Sequence, residues 1–368
     1  MKVLVAGDRG YIGAVMVPFL QAAGHEVDGL DLGLYEGCDF GSAPRSATDR
    51  RTGDIRDAEP TGLAGYDAVV CLAALSNDPL GHLNPAATFS VNLDGTLALA
   101  RAAKQAGVPR FVFASSCSLY GAAGSAAVAE DAELTPVTPY GETKAIAERQ
   151  LGQLASDSFS PTYLRNATAY GASPRLRLDI VVNNLTAVAT TTGQVRMESD
   201  GSPWRPLVHI EDISRATEAV LTARRELVHD EAFNVGRPQD NVQVRQIAEL
   251  VHEAVPGSTI SFADGAGPDL RNYQVDFAKL NDTFPGLGLT WTVQAGVEEL
   301  ASAYTEHGLT YQDFASSRYV RLRRIRELLD DGVIDDTLRR KTVLSGGSAD
   351  APSLVGKAAP RRSAASQA

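Results

Sequence analysis

The first thirteen residues, MKVLVAGDRGYIG, narrow what this chain can fold into more than any other stretch. The apolar run KVLVAG, residues 2 to 7, reads as a buried strand. It leads at once into Gly7, Gly10 and Gly13 at a GxxGxxG spacing that opens a helix-patterned segment over 11 to 23. Such a turn lets the backbone approach a pyrophosphate, and the helix N-terminus turns free N–H groups and a partial positive charge toward it. A glycine triplet alone is weak evidence, because any tight strand-to-helix turn uses glycine. Here a second strand, EVDGLD at 26 to 31, ends on Asp31, 18 residues beyond Gly13, where an acid grips the ribose hydroxyls of a dinucleotide. Asp31 repels a 2′-phosphate and so points to NAD. Arg9, inside the glycine loop, reads either as a solvated cation or as a group able to reach such a phosphate.

The strand series continues with DAVVCLAA (67 to 74), RFVFASS (110 to 116) and PTYLRN (161 to 166), with helix-patterned segments at 88 to 107 and 140 to 155 between them. This alternation predicts an α/β fold, a doubly wound parallel sheet of Rossmann type, over residues 1–170. From about residue 170 the pattern breaks into Pro, Gly and Asn punctuation, and YGASPRLRLD and ESDGSPWRP read as loops. A smaller, substrate-facing lobe is expected mainly over 171–317, interleaved in sequence with the first. Residues near 206–240 return to the main sheet, with EAFNVG at 231 to 236 as a strand. Residues 318–342 read as a charged C-terminal helix, and 343–368, biased to Gly, Ala, Ser and Pro, as a disordered tail.

Charge then excludes several classes of function. A formal charge of −11 over 368 residues argues against a nucleic-acid partner, so individual arginines must carry any phosphate recognition. Cys38, Cys71 and Cys117 form no CxxC pair and no metal-ligand spacing, which implies no metal and a reducing cytoplasm. The early Asp8 and Arg9 break any signal-peptide pattern, and no 18-residue apolar span predicts a membrane segment.

The chemistry is concentrated in SSCSLYG, residues 115 to 121, and PYGETKAIAE, which holds Tyr140 and Lys144. Hydroxyls and a thiol at a strand end suggest a hydrolytic nucleophile, but no His-acid pair accompanies them. Four residues apart on a helix, Tyr140 and Lys144 share a face, and an ammonium beside a phenol favours the phenolate. With the hydroxyl of Ser116 and a nicotinamide, this set suits alcohol–ketone interconversion. Taken alone, a Tyr-Lys pair at this spacing is more often a packed ring with a snorkelling amine.

These motifs together resemble the extended short-chain dehydrogenase/reductase superfamily, specifically its NAD-dependent epimerase/dehydratase family of sugar-nucleotide enzymes. The resemblance covers residues 1 to 310 and is carried by GDRGYIG, Asp31, GDIRD, CLAA, VNLDGT, SSCSLYG, PYGETK, WRPLVHIED, FNVG and DLRNYQVD. It implies that Gly7, Gly10, Tyr11, Ile12, Gly13, Asp31, Asp54, Ile55, Leu72, Ala73, Ala74 and Asn92 hold NAD. It implies Ser116, Tyr140 and Lys144 as the catalytic set, with Tyr140 and Lys144 also on the cofactor. It further implies a homodimer through the helices at 88 to 107 and 140 to 155.

Within the resemblance, the position of Ser118 resembles a glutamate in 4,6-dehydratases and a cysteine in 3,5-epimerases. Serine is too weak a base to remove a carbon-bound proton. Cys117, one place earlier, points into packing because neighbouring side chains on an extended chain face opposite ways. Hydride chemistry alone remains, and the expected activity is C4 epimerisation of a nucleoside-diphosphate sugar. The alternatives are an NAD(P)-dependent keto-reductase or dehydratase, and a non-enzymatic dinucleotide sensor. Substrate contacts are expected from Arg205, Arg271, Asn183, Asn184, Ser118 and Thr168, the last standing where relatives carry asparagine. In LSNDPLGHLNP, Ser76, Asn77 and Asp78 either reach the sugar or form an ordinary turn before Pro79. His209 is read as an anchor of the lobe interface.

Overall fold

A computed structural model of the chain describes residues 1–41, 49–76, 84–121, 127–267 and 272–341. Its strands, in chain order, are β1 Lys2–Ala6, β2 Glu26–Asp31, β3 Arg50–Thr52, β4 Ala68–Cys71, β5 Arg110–Ser116, β6 Ala127–Val128, β7 Ser160–Asn166, β8 Thr168–Tyr170, β9 Gln194–Ser199, β10 Trp204–His209, β11 Glu231–Val235, β12 Asn241–Gln243, β13 Thr259–Gly267 and β14 Gln274–Val275. Seven of them form one parallel sheet in the order β11-β7-β5-β4-β1-β2-β3. Its central strands are apolar without alternation, Val3 to Ala6 and Ala68 to Cys71 being buried throughout, because helices cover both faces.

On one face Met16, Val17 and Leu20 of helix Gly13–Ala22 pack with Ile213, Ala216 and Val220 of helix Ile210–Thr222. On the other, Leu97 and Ala100 pack with Phe111, Phe113 and Leu151. The chain leaves β1 for β2 on one side and reaches β4 on the other, so the C-terminal ends of β1 and β4 form the crevice where ligands of such sheets bind. β11 joins the sheet beside β7, pairing Ala232 with Tyr163, while the smaller lobe is built on β8-β10-β12 and β9-β13 with its own apolar core around Leu185, Met197, Ile247 and Leu300.

Four motif residues meet inside the sheet domain. Arg165 on β7 donates to Glu148 at 2.7 Å and to the hydroxyl of Tyr120 at 2.9 Å, and Tyr120 donates in turn to Asn234 Oδ1 at 2.7 Å. These residues of SLYG, KAIAE, LRN and FNVG tie β5, β7, β11 and the helix Pro139–Gly152 together, so their part in the motifs is structural.

Two elements depart from the expected helices. The run expected over 88 to 107 begins at Pro85, behind the Asn84 cap, and widens to a π-helical turn over Ser90–Gly95 before continuing as Thr96–Gln105. That turn carries Asn92 inward against the loop after β4. The C-terminal helix spans only Arg321–Asp330; the chain then reverses, and Ile334 bridges to Arg340. Residues 343–368, read as a tail, lie outside the described residues.

Candidate active site

A cavity of about 1000 Å³ opens at the crevice, and the glycine turn forms its floor. Gly7 has φ +94°, and a Cβ there would lie 2.8 Å from the Ala73 nitrogen; one on Gly13 would lie 2.2 Å from the Gly7 carbonyl. The turn, the loop after β4 and the helix Gly13–Ala22 therefore approach closely enough for backbone alone to face a ligand. Gly10, Tyr11, Ile12, Leu72, Ala73 and Ala74 line the same floor.

Asp31 ends β2 at the cavity wall, where its carboxylate accepts the backbone N–H groups of Gly33 at 2.7 Å and Arg9 at 3.2 Å. Burial pushes this carboxyl up. The Arg9 guanidinium donates to the Thr52 hydroxyl at 3.1 Å. Asp54 and Ile55 line the wall beyond, with Asp54 held by the Arg56 guanidinium at 2.5 Å. The cradle, the helix N-terminus and the acid at the end of β2 fit a dinucleotide. Asn92 is absent from the wall. It is fully buried, accepts from the Leu75 N–H at 2.8 Å and donates to the Leu75 carbonyl at 3.1 Å, so it holds the loop carrying Ala73 and Ala74.

β5 delivers Ser116 to the cavity, and the hydroxyl of Ser118 donates to it at 3.0 Å. Tyr140 stands in the first turn of helix Pro139–Gly152, which is started by Pro139 and capped by the Thr138 hydroxyl accepting from Gly141. One turn on, Lys144 is 2 % exposed; its Nζ donates to the Ala114 carbonyl at 2.6 Å and lies 5.7 Å from the Tyr140 ring centre. Burial brings its amine down to about 8. Cys117 faces away and donates its thiol to the Arg165 carbonyl at 3.1 Å, and burial pushes that thiol far up, which makes it inert packing.

Of the residues expected to meet substrate, Thr168, Asn184 and Arg205 line the cavity, and Ser76 accepts from Arg177 at 3.0 Å. Asn183 is spent inside the protein: its amide donates to the Tyr11 hydroxyl and the Gly171 and Arg177 carbonyls, and its oxygen accepts from the Gly171 N–H. Asn77, Asp78 and Arg271 lie outside the described residues. His209 anchors the smaller lobe, stacked 3.9 Å from Trp291 and 2.9 Å from Glu299. Ser115 and Asn166 also line the cavity, each with a buried side-chain oxygen that has no partner, and sequence reading passed over both. Their only signal was position, at the C-terminal ends of β5 and β7. Among the described residues no cluster of His, Cys, Asp and Glu is arranged to hold a metal, and no helix is long and apolar enough to cross a membrane.

This geometry fits a dinucleotide-binding protein of the doubly wound class, and comparison with known proteins adds the family. Residues 3–236 match the model of the NAD dependent epimerase/dehydratase family. The chain belongs to that family, whose cofactor is NAD. It is 30% identical over 299 residues to the UDP-glucose 4-epimerase of Lactobacillus helveticus, covering 73% of this chain and 87% of that one. It is also 30% identical over 291 residues to the dTDP-glucose 4,6-dehydratase of Streptomyces griseus, covering 75% and 86%. A structure described as MoeE5 in complex with UDP-glucuronic acid and NAD superposes with a TM-score of 0.71 at 27% identity, covering 83% of this chain and 99% of that chain.

Proposed function

We propose that the protein interconverts C4 epimers of a nucleoside-diphosphate sugar. The observation that carries this reading is the cavity edge formed by Ser116, Ser118, Tyr140 and Lys144. It offers a proton relay for a sugar hydroxyl, but Ser118, the position that resembles a dehydratase glutamate, supplies only a hydroxyl bonded to Ser116. Ser116 Oγ and the Tyr140 phenol hold the substrate alcohol between them. Tyr140 takes the hydroxyl proton as the carbon is oxidised and returns it when the carbon is reduced from the other side. Lys144, its Nζ 5.7 Å from the ring centre, sets a positive charge beside the phenol as its proton moves. NAD, when bound, supplies the acceptor and later the donor of hydride.

Arg205 on the cavity wall is the group we assign to the nucleotide diphosphate among the described residues, and the 4-epimerase relative supports the reaction type. A cytoplasmic homodimer joined through the helices Thr96–Gln105 and Pro139–Gly152 completes the reading; it rests on the family resemblance, and light scattering tests it. The function itself is tested by incubating the purified protein with UDP-glucose, and separately with dTDP-glucose, and following C4 stereochemistry by NMR. Equilibration without added nicotinamide supports epimerisation. Stoichiometric NADH consumption would make the enzyme a keto-reductase, and loss of water a dehydratase.

A further inference from the structure

We propose that the C-terminal residues 319–341 are a working part of the dinucleotide site, with Arg321 binding the cofactor's diphosphate beside Arg177. The proposal rests on the family's cofactor and not on the C4 reaction. The family match ends at residue 236, so this segment lies beyond it.

Arg321 opens the helix Arg321–Asp330 and lines the same cavity as Gly10 and Tyr11, yet it is only 3 % exposed. Its guanidinium sits 3.9 Å from the Tyr35 ring centre and donates through Nη2 to the Arg175 carbonyl at 3.0 Å, while Nη1 is buried with no partner. Arg177, 7 % exposed, lines the cavity too. It donates to Ser76 at 3.0 Å and to Asp179 at 2.9 Å, its centre lies 6.0 Å from the Tyr11 ring, and its Nη2 is likewise buried and unpartnered.

Asp179 pairs with Arg177 at 2.9 Å and acts on Arg321 only through its longer-range charge. Burial and the repulsion from Arg177 weaken the hold of Arg321 on its proton, bringing it down to about 10, with Tyr35 and Asp179 opposing. The wall carries surplus positive charge next to the N-terminus of the helix Gly13–Ala22. An anion with two acceptor groups would satisfy the unpartnered nitrogens and the helix end together, and the diphosphate of a dinucleotide has that form.

The remainder of the segment settles which diphosphate. Arg340 donates to the Leu32 and Gly33 carbonyls at 2.8 and 2.6 Å, directly after Asp31. Arg56, neighbour of Asp54 and Ile55, donates to the Thr337 carbonyl at 2.7 Å, and Arg339 pairs with Asp57 at 2.6 Å. Leu338 sits between these attachments on the cavity wall, in the left-handed conformation at φ +58°. The segment is fastened to the two loops that carry the dinucleotide's acids, which favours the cofactor over the nucleotide sugar.

The test uses the full chain freed of nucleotide and titrated calorimetrically with NAD, ADP, adenosine and UDP. In Arg321→Met, Kd for NAD and ADP should rise about 10- to 100-fold, the loss of charged hydrogen bonds to phosphate, with adenosine and UDP unchanged. Arg321→Lys should recover part of the affinity. A folded Arg321→Met protein with unchanged affinity for NAD and ADP overturns the proposal, as does a loss confined to UDP. If the variant does not fold, hydrogen exchange on the unaltered protein decides: NAD should slow exchange across 319–341, and no slowing there sinks the idea.

Discussion

Lys144 Nζ donates to the Ala114 carbonyl at 2.6 Å, two residues before Ser116. One bond therefore fixes the amine relative to both the strand that brings Ser116 and the helix that brings Tyr140. Burial lowers this amine to about 8, so in the proposed reaction the charge it sets beside Tyr140 is present below pH 8 and lost above it. The pH profile of kcat should show a descending limb near pH 8. Lys144→Met should reduce kcat by about 10²- to 10⁴-fold, the usual range for removing general acid–base help. A flat profile from pH 7 to 9.5 would separate Lys144 from the proton relay.

Tyr140→Phe removes one hydroxyl and leaves the ring above Lys144 in place. Turnover should fall by about 10²- to 10⁴-fold, while the affinity for NAD, measured by titration, changes little. If the function of the protein in its cell survives this substitution, a dinucleotide-sensing role gains over catalysis.

Glu148 and Arg165 are both buried and paired at 2.7 Å, with Tyr120 as the further partner of the arginine. Glu148→Gln leaves a buried guanidinium without its counter-charge and should cost about 3–5 kcal/mol. Urea denaturation would show a lower midpoint with an unchanged slope. A midpoint equal to that of the parent would mean the network contributes nothing to stability.

Asp8 is 1 % exposed, neither carboxylate oxygen has a hydrogen-bond partner, and its nearest cation is Arg50 at 3.7 Å. Burial first, and then the Asp31 charge, raise its carboxyl to about 6. The folded protein therefore keeps this proton where the unfolded chain has lost it, so stability falls as pH rises from about 4 through about 6 and is level above. Asp8→Asn removes that penalty and should stabilise the protein by about 3 kcal/mol at pH 8, at roughly 1.4 kcal/mol per pKa unit. The gain should shrink steadily below pH 6. Melting curves of both proteins across pH 4 to 8 check the sign.

Gly7, Gly13, Asp31, Ser116, Tyr140 and Lys144 could be found without coordinates because each is specified locally. A turn that excludes a Cβ needs glycine, a buried parallel strand needs a continuous apolar run, and a shared helix face needs a spacing of four. Cys117 was legible for the same reason, since adjacent residues of an extended chain point opposite ways.

Other assignments depended on distance across the fold. Asn92 and Asn183 sit in recognisable motifs, but whether an amide meets a ligand or a buried carbonyl is decided by the chain packed against it, and both turn inward. Ser115 and Asn166 gain their place only because β5 and β7 lie side by side, bringing two oxygens to one wall. Arg321 joins the site from a helix whose next turn bonds Leu34, 290 positions earlier in sequence. Local periodicity and turn chemistry, written in the sequence by itself, determined the sheet, the glycine cradle and the Tyr-Lys pair. Only the tertiary structure decided which polar side chains face the cavity, because that depends on contacts between distant segments, which leave no period or spacing in the chain.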